Sequence, residues 1–497
     1  MQFLSSLRAT ADSRPDAVAL SFEGTQFSYA ELETAVAEQA QALSGQAVRR
    51  GTRVVLIADN SPEYLITAFA IWVLGAVLVT VYPSSEVSEF RYVLERAEPE
   101  LVLADERAAA RLGPLADEYR IRRLEAGAPS EGRRLRFEPA ASADSELALI
   151  CFTSGSTAHP KAVMHSRAGL SNGAAAYARV WHLGPGDRTI VCLPMAWAFG
   201  LVTTSMAALS GGGRVIILKR TRPALLIDAL TQQAGTFFAG VTTTFVKLVD
   251  YLSSLPETPA FSGLRLCISG GEPRNEPAFA RWTALSGVPV HDVYAASECF
   301  PAVTYDPVED PAPLTGSAGK VAPGAQMRVV DEHGDDVPAG SAGEALWKSP
   351  AHFLGYWRDP DTTTAATTPD GWYRTKDLVR VDEDGYVHVL GRLSDMIIRG
   401  GSNVSPTEVE AVLSQHPTVA AAAVVGLDDP TYGQQVVAAV IPSGDSFDAQ
   451  ALQAWAASRL AGYKVPARIV IVPELPVNDR TGKVDRRRLA AALTALA

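Results

Sequence analysis

The pattern of apolar and polar positions in the larger, first part of the chain predicts short strands that alternate with helices. Apolar residues recur at helical spacing between positions 32 and 43 and predict a helix that begins at Ser28, whereas the apolar run 53–57 predicts a buried strand. Further strands are predicted at 147–152, 189–193, 214–218, 236–240, 264–269 and 288–294. Such alternation is typical of parallel sheets built from βαβ units.

The stretch 65–82 is nearly all apolar and is just long enough to pass for a membrane span. Gly75 interrupts it, and the preceding 60–62 has the serine and proline of a helix start. A buried helix followed by a strand explains the pattern as well, so we expect no membrane span. The segment 107–144 is polar and is predicted to be rich in loops.

The pattern changes beyond about Pro313. Glycine-rich turns and paired short strands, such as 327–330, predict an antiparallel, barrel-like section. The last hundred or so residues predict a small α+β unit, in which Ser405 and Glu408 form a capping box at a helix start. The sequence therefore predicts an α/β fold with a large N-terminal domain, residues 1–393, and a small C-terminal domain, residues 394–497.

Composition and charge restrict the class of protein. A chain of 497 residues is too long for one hydrophobic core, and its net charge of −11 argues against a nucleic-acid partner. The amino terminus lacks the basic start and apolar segment of a secretory signal. The four cysteines lie far apart in or beside apolar runs, with neither zinc nor disulfide spacing, so we expect reduced core residues in a cytoplasmic protein. They are Cys151, Cys192, Cys267 and Cys299.

Candidate chemistry is concentrated in residues 153–161, where four hydroxyl side chains, a glycine and a lysine are crowded together. This segment follows the predicted strand 147–152 and so would lie at a strand's carboxyl end, where open α/β sheets bind ligands. Glycine permits a bend that exposes backbone N–H groups, and hydroxyl groups suit an anionic oxygen. The spacing of a Walker A loop is absent. Taken alone, the segment fits a plain turn and a phosphate-binding loop equally well.

The segment resembles the signature loop of the adenylate-forming superfamily, which includes acyl-CoA synthetases, adenylation domains and beetle luciferases. Other segments resemble the remaining motifs of the superfamily in the same order along nearly the whole chain; these are 269–273, 294–298, 355–357, 371–377, 385–386, 391–392, 400–406, 475–476 and 481–483. On this ordered series the chain is identified as a member of the superfamily, most similar to an acyl-CoA or aryl-CoA ligase.

The resemblance implies ATP, Mg²⁺ and coenzyme A as cofactors and a small carboxylic acid as substrate. The acid's carboxylate would attack the α-phosphorus of ATP, giving an acyl-AMP and pyrophosphate, so positioned cations and donors must offset the repulsion of two anions. The implied ATP-binding residues are Thr153, Ser154, Gly155, Ser156, Thr157, Lys161, Gly271, Glu272, Tyr294, Ser297, Asp377 and Arg392. Thr153 and Glu298 are the implied metal ligands.

The C-terminal domain is implied to be mobile. From it, Lys483 would bridge the carboxylate and the α-phosphate and would act with Glu298 as a catalytic residue. A lone lysine beside the basic run 486–488 is usually solvated, but the Thr-Gly-Lys context favours the catalytic role. In the second half-reaction the domain would rotate about a hinge at Ser394 before a thiol displaces AMP, and the glycines Gly400 and Gly401 would line the thiol's path.

The implied acyl pocket departs from the family at several positions; its residues are Trp197, Ala198, Gly270, Ala295 and Ala296. Many relatives carry histidine where this chain has Trp197, a position that gates the thiol's route, so the indole either closes that route or walls a large apolar pocket. Ala198 replaces the aspartate that binds an α-amine in amino-acid-activating relatives, which implies an acid without an α-amino group. Ala295 replaces a glycine and should narrow the pocket.

Three activities remain compatible with the resemblance. The favoured one is an AMP-forming acid–CoA ligase. The second is a stand-alone adenylating enzyme that passes its acyl group to a carrier-protein thiol or to a partner enzyme, an alternative that Trp197 and Ser394 keep open. The third, a non-catalytic binding relative, is disfavoured because Lys483 and Glu298 are both retained.

Overall fold

The computed structural model describes residues 1–125, 134–141, 143–153, 160–444, 446–477 and 484–495. The elements of the first part are α1 (Gln2–Ser13), β1 (Val18–Phe22), β2 (Thr25–Ser28), α2 (Tyr29–Gly45), β3 (Arg53–Ile57), α3 (Pro62–Val73), β4 (Val77–Thr80), α4 (Val87–Ala97), β5 (Leu101–Ala104), α5 (Glu106–Leu112), β6 (Ile121–Arg123) and β7 (Leu147–Thr153). The middle part contains β8 (Lys161–Ser166), α6 (Arg167–Val180), β9 (Arg188–Val191), a π-helix (Phe199–Met206), α7 (Ala207–Ser210), β10 (Arg214–Ile217), α8 (Pro223–Thr231), β11 (Phe237–Gly240), α9 (Thr242–Ser253), β12 (Leu266–Gly270), α10 (Glu276–Ser286), β13 (Val290–Ala296) and β14 (Cys299–Thr304).

Shorter strands dominate the next part, which contains β15 (Lys320–Val321), β16 (Gln326–Val330), β17 (Ala342–Lys348), β18 (Ala351–His352), β19 (Gly355–Tyr356), α11 (Pro360–Ala366), β20 (Tyr373–Val381) and β21 (Val387–Arg392). The C-terminal domain contains β22 (Ile397–Arg399), β23 (Ser402–Val404), α12 (Pro406–Leu413), β24 (Val419–Asp429), β25 (Gly433–Pro442), α13 (Ala449–Ala457), β26 (Arg468–Ile471) and α14 (Arg486–Ala495).

Two large sheets form the N-terminal domain. One has the strand order β19-β8-β7-β4-β3-β5-β6, and its strands from β7 to β6 are parallel. The other has the order β15-β14-β13-β12-β11-β9-β10-β1-β2, with parallel pairing from β13 to β1. The predicted parallel sheets are therefore confirmed. Because β9, β12 and β13 run in the same direction, the residues that follow them meet at one edge of the sheet.

The apolar stretch 65–82 forms a buried helix and a strand. Ser61 caps α3 by accepting a hydrogen bond from the N–H of Tyr64, and Pro62 occupies the first turn, where no N–H is needed. Every residue of α3 except Glu63 is buried, so the helix is apolar on all sides because it lies inside the core. Among the helices that the structure describes, none is long and apolar enough to cross a membrane.

The section after β15 is antiparallel, as predicted: β16, β17, β20 and β21 form a four-stranded sheet in that order. Within 107–144, the described residues include the end of α5 and the strand β6, which pairs with β5, and otherwise lie mostly in turns and coil, as predicted. All four cysteines are buried, and none of them forms a disulfide.

The C-terminal domain has its own sheet, in the order β23-β22-β25-β24 with β26 beside β25. Successive residues of β24 face opposite sides: Val424 packs in the cluster that contains α12 and α13, and Val425 in the one that contains α14. At the start of α12, Ser405 accepts from the N–H of Glu408 as the capping box requires, but the Glu408 carboxylate binds Lys464 at 2.7 Å. The second half of the predicted box is therefore replaced by an ion pair.

Candidate active site

A tyrosine, a carboxylate and a guanidinium meet where β13 approaches the β20–β21 pair. Asp377 lies opposite Arg392 in that ladder, and its Oδ1 atom is 2.8 Å from Arg392 Nε. Tyr294 Oη donates to Asp377 Oδ2 at 2.6 Å. Burial, reinforced by the charge of Asp377, raises the pKa of Tyr294 well above its usual value, so the phenol stays protonated and donates. The fold thus brings together three predicted ATP-binding residues, of which the first and the last are 98 positions apart in the sequence.

A second cluster is built around Tyr356, which is not among the predicted site residues. Tyr356 Oη donates to Oε1 of the buried Glu298 at 2.7 Å. On the ring of the same tyrosine lies Lys161, whose Nζ atom is 5.0 Å from the ring centroid. The pairing of β19 with β8 produces this arrangement, because it sets Tyr356 opposite Val163, two residues after Lys161.

The two residues that flank the predicted phosphate-binding segment, Thr153 and Lys161, belong to neighbouring strands. Thr153 at the end of β7 lies opposite Lys161 at the start of β8 in an antiparallel ladder. The intervening predicted residues Ser154, Gly155, Ser156 and Thr157 lie outside the described residues, as does Lys483. Thr153 and Lys161 therefore mark where the loop begins and ends at the carboxyl end of β7.

The residues around Glu298 fit a magnesium ion that is bound partly by the protein and partly by the phosphates of a nucleotide. Among the described residues, no group of three or more histidine, cysteine, aspartate or glutamate side chains could form a metal site of its own. Mg²⁺ is commonly bound by one or two carboxylates together with water and phosphate oxygens. Glu298 is such a carboxylate, 7% exposed, with one oxygen oriented by Tyr356. The donor set thus suits Mg²⁺ carried with a nucleotide phosphate.

Backbone contacts hold the segment around Glu298. The buried His165 lies with Nε2 2.6 Å from the carbonyl oxygen of Ser297, to which it donates. Burial lowers the pKa of His165 to about 4, so the ring is neutral at physiological pH. The carbonyl oxygen of Glu298 accepts from the N–H of Phe353 at 2.8 Å. Ser297 and Glu298 therefore sit on a fixed piece of backbone.

Aromatic rings form one side of the predicted acyl pocket. The indole of Trp197 lies 5.8 Å from the ring of Tyr82, centroid to centroid. Ala198 and Ala295 are both partly buried and pack against the core of the N-terminal domain. At Gly270 a Cβ atom would come within 2.6 Å of Val293 Cγ1, so the backbone there approaches β13 as closely as only glycine allows.

The segment after β12 is clamped to β13 by Arg274, a largely buried arginine that no sequence motif assigns to the site. Arg274 forms a bidentate pair with Glu276, at 2.8 and 3.1 Å, and a close ion pair with Asp292. The Arg274 side chain is 13% exposed and that of Asp292 7%. Burial opposes the charge of Arg274, yet the two carboxylates raise its pKa above the usual value. The sequence offers one signal for the ion pair between Arg274 and Asp292, because Asp292 lies within a strand, β13, that is otherwise mostly apolar.

Two predicted nucleotide residues, Gly271 and Glu272, lie between Gly270 and this clamp. Gly271 is exposed with φ +80°, a conformation that favours glycine. Glu272 accepts from the N–H of Thr243 at the start of α9, at 2.9 Å. The clamp and this bond fix the turn at both ends.

The predicted hinge and thiol residues are carried by the C-terminal part of the chain. Ser394 is exposed, and its hydroxyl group donates to Asp395 at 3.0 Å. Asp395 is also 3.5 Å from Arg486, at the start of α14. Arg486 in turn forms a bidentate pair with Glu410 of α12, at 2.8 and 2.9 Å. The residue after the hinge is thus tied to two helices of its own domain.

Gly400 and Gly401 form the exposed turn between β22 and β23, with φ +55° and +79°. Tyr432 borders this turn: the Gly400 N–H donates to the Tyr432 carbonyl oxygen at 2.8 Å, and a Cβ atom at Gly400 would lie 3.3 Å from Cδ1 of the tyrosine ring. Tyr432 is 51% exposed, and the guanidinium of Arg399 lies 5.3 Å from its ring centroid. An exposed aromatic ring and a cation therefore stand beside the predicted thiol path, a feature that only the structure reveals.

Two family models match the chain. The model described as AMP-binding enzyme matches residues 7–357, and the one described as AMP-binding enzyme C-terminal domain matches residues 408–483. The chain is also 32% identical over 471 residues to feruloyl-CoA synthase from an Amycolatopsis species, covering 95% of this chain and 94% of the relative.

A second relative and a solved structure agree with these matches. The chain is 32% identical over 503 residues to indoleacetate–CoA ligase from Aromatoleum aromaticum, covering 97% of each. It is similar to the crystal structure of ATP-bound MatB from Rhodopseudomonas palustris, with a TM-score of 0.90, 28% identity and 99% of both chains covered. ATP, Mg²⁺ and coenzyme A, which the motifs imply, are the cofactors of such enzymes. The chain therefore belongs to the AMP-binding enzyme family and, within it, to the adenylate-forming acid–CoA ligases.

Proposed function

We propose that this chain activates a non-amino carboxylic acid with an aromatic body and transfers its acyl group to coenzyme A. The observation that carries the choice of acid is the pair of rings formed by Trp197 and Tyr82 beside Ala198. Such a wall offers apolar area and ring stacking but no carboxylate to pair with an α-ammonium group. Two relatives whose names include feruloyl-CoA and indoleacetate support an aromatic acid.

The site residues divide between the two predicted domains. Residues 1–393 would form the adenylation core, in which Tyr294 stacks on adenine, Asp377 accepts from ribose hydroxyl groups and Arg392 supports the ribose and phosphate side. Thr153 and Glu298 would hold Mg²⁺, and the loop from Thr153 to Lys161 would bind the β- and γ-phosphates. Residues 394–497 would bring Lys483 to the reacting groups and then rotate about Ser394.

The chemistry follows from charge. A carboxylate and a triphosphate repel each other, so the attack on the α-phosphorus needs cations placed before the reaction begins. Lys161 and Arg392 supply fixed positive charge within the core, and bound Mg²⁺ would neutralise phosphate oxygens. The aromatic wall excludes water from the acid, which protects the mixed anhydride from hydrolysis.

A panel of acids tests the proposal. Acid-dependent ATP–pyrophosphate exchange is expected with arylacetic and cinnamic acids, weaker exchange with hexanoate and none with an α-amino acid such as phenylalanine. With CoA added, the active acids should yield acyl-CoA, detected by mass spectrometry, with one AMP released per thioester. Exchange with phenylalanine but not with phenylacetate would contradict the assigned acid class.

The same panel addresses the second activity, transfer to a carrier-protein thiol or to a partner enzyme. Trp197 favours this alternative, because an indole that closes the thiol's route would leave the acyl-AMP on the enzyme. In that case acyl-AMP accumulates with CoA present, and a phosphopantetheinylated carrier protein accepts the acyl group. Rapid formation of acyl-CoA removes this alternative.

Replacement of Tyr432 separates the two half-reactions. We propose that this exposed ring stacks on the nucleotide end of CoA, with Arg399 supplying positive charge for its phosphates. Tyr432→Ala should then raise the KM for CoA roughly tenfold, since stacking of a base on an aromatic side chain contributes about 1–3 kcal/mol. Pyrophosphate exchange, which needs no CoA, should not change. Equal losses in exchange and in thioester formation would contradict this role.

We also propose a cytoplasmic location. None of the four cysteines forms a disulfide and all are buried, and burial raises the pKa of Cys192 to about 12, so this thiol stays protonated. Four cysteines without a disulfide suit a reducing compartment. Fractionation of the producing cells followed by activity assay would place the enzyme, and activity confined to the extracellular fraction would contradict the proposal.

A further inference from the structure

We propose that Tyr356 is a positioning residue that orients the Glu298 carboxylate and the Lys161 ammonium for one bound metal–nucleotide. The inference rests on the proposed function, which assigns the metal to Glu298 and the phosphates to Lys161. Tyr356 contacts both of them through different parts of one side chain, the hydroxyl group and the ring.

The hydroxyl group fixes the carboxylate. Tyr356 is 3% exposed, and its Oη atom lies 2.7 Å from Glu298 Oε1. A phenol is protonated at neutral pH and a carboxylate has only acceptor oxygens, so Tyr356 is the donor in this bond. A carboxylate that accepts one hydrogen bond retains lone pairs for a cation. The bond therefore limits rotation of the Glu298 carboxylate without consuming its capacity to bind a metal.

The ring fixes the ammonium. Lys161 Nζ lies 5.0 Å from the centroid of the Tyr356 ring, within the range of a cation–π interaction. In the described part of the chain, no carboxylate lies within 4.0 Å of this ammonium. Since the tyrosine contacts the lysine and the glutamate separately, the two opposite charges do not neutralise each other. Each remains available to a ligand.

The backbone of Tyr356 is itself fixed. β19 pairs with β8, and the Tyr356 N–H donates to the Thr363 hydroxyl group at 2.9 Å. At Gly355, with φ +115°, a Cβ atom would come within 2.8 Å of Thr363 Cγ2, so only glycine fits this approach. The Tyr356 ring also packs edge to face against Phe353, with 5.2 Å between the ring centroids. Because both its backbone and its ring are fixed, Tyr356 can orient the two side chains that it contacts.

Two substitutions separate the two contacts. Tyr356→Phe removes only the hydroxyl group, whereas Tyr356→Leu removes the hydroxyl group and the ring. Tyr29→Phe is the matched control, since it deletes an equally buried phenol whose hydroxyl group donates to the Gly213 carbonyl oxygen at 2.7 Å. The probes are Mn²⁺, followed by electron paramagnetic resonance, and a non-hydrolysable ATP analogue, whose binding is measured by calorimetry with and without the metal.

We expect Tyr356→Phe to weaken Mn²⁺ binding in the presence of the analogue by about 10-fold or more, the effect typical of removing a group that orients a metal ligand. Its affinity for the metal-free analogue should equal that of the wild type. Tyr356→Leu should weaken both, and Tyr29→Phe neither. Acid-dependent exchange should require correspondingly more Mg²⁺ in Tyr356→Phe.

The outcomes distinguish this inference from the proposed function. If the wild type binds Mn²⁺ with the analogue and Tyr356→Phe binds it equally well, Tyr356 does not position the metal ligand. If Tyr29→Phe shows the same loss as Tyr356→Phe, the effect is one of general stability, and the inference is likewise overturned. Failure of the wild type to bind the analogue at all would instead contradict the proposed function on which the inference depends.

Discussion

Lys483→Ala is expected to lower acid-dependent ATP–pyrophosphate exchange by about 100- to 1,000-fold, the loss that follows removal of one group aimed at charge developing in a transition state. The proposed role makes this the most severe single change, because no other cation is expected to bridge the attacking carboxylate and the α-phosphate. Initial rates of exchange at saturating ATP and acid measure the effect. Folding should be unaffected, as judged by the Tm.

The control for this prediction lies four residues further along. Arg487 is exposed at the start of α14 and has been given no part in the reaction. Arg487→Ala removes a positive charge from the same region, so it reports any effect of net charge alone. Its exchange rate should match the wild type. An undiminished rate in Lys483→Ala, or an equal loss in both variants, would exclude the proposed role of the lysine.

Arg274→Met is expected to destabilise the N-terminal domain by about 3–5 kcal/mol, the cost of removing one partner from a buried ion pair. The substitution leaves the carboxylate of Asp292, 7% exposed, without its cation. The midpoint of urea unfolding, monitored by tryptophan fluorescence, measures the change. Because the clamp holds the turn that carries Gly271 and Glu272, the KM for ATP should rise as well.

A double variant and a surface control test the explanation. Arg274→Met combined with Asp292→Asn removes the guanidinium and the more buried of its two carboxylate partners, and the remaining Glu276 is 32% exposed, so most of the stability should return while the KM for ATP stays raised. Arg358→Met breaks an ion pair with Glu98 in which both side chains are about half exposed, and it should change the unfolding midpoint little. A double variant no more stable than Arg274→Met alone would argue against an unpaired charge as the cause.

Local signals in the sequence predicted the elements well. The apolar run 53–57 has the bounds of β3, and Ser61 with Pro62 begins α3 where the sequence places a helix start. Each of these signals depends on residues within one turn or one strand, where backbone geometry and burial determine the outcome. The capping box at Ser405 shows the limit. Its glutamate binds Lys464, 56 residues away, and so leaves its local role.

The site was predictable as far as the motifs extend. Tyr294, Asp377 and Arg392 are indeed brought together, although nothing local to any of them indicates the other two. Tyr356 and Arg274 were not identified as site residues, because their importance depends on partners that other strands and turns supply. From sequence alone, a tyrosine is usually assigned to the core and an arginine to the surface. Only the contacts in the structure reveal that either residue orients others.

The ion pairs on either side of Ser394 would restrict how the proposed rotation of the C-terminal domain is achieved. Arg392 is held by Asp377 of the N-terminal domain, and Asp395 by Arg486 of its own domain. The backbone torsions that can change without separating either pair are the ψ angle of Arg392, both angles of the exposed Leu393 and Ser394, and the φ angle of Asp395. The proposed rotation would thus be confined to six dihedral angles. A proline at position 394 would fix one of them and should trap the enzyme in a single half-reaction.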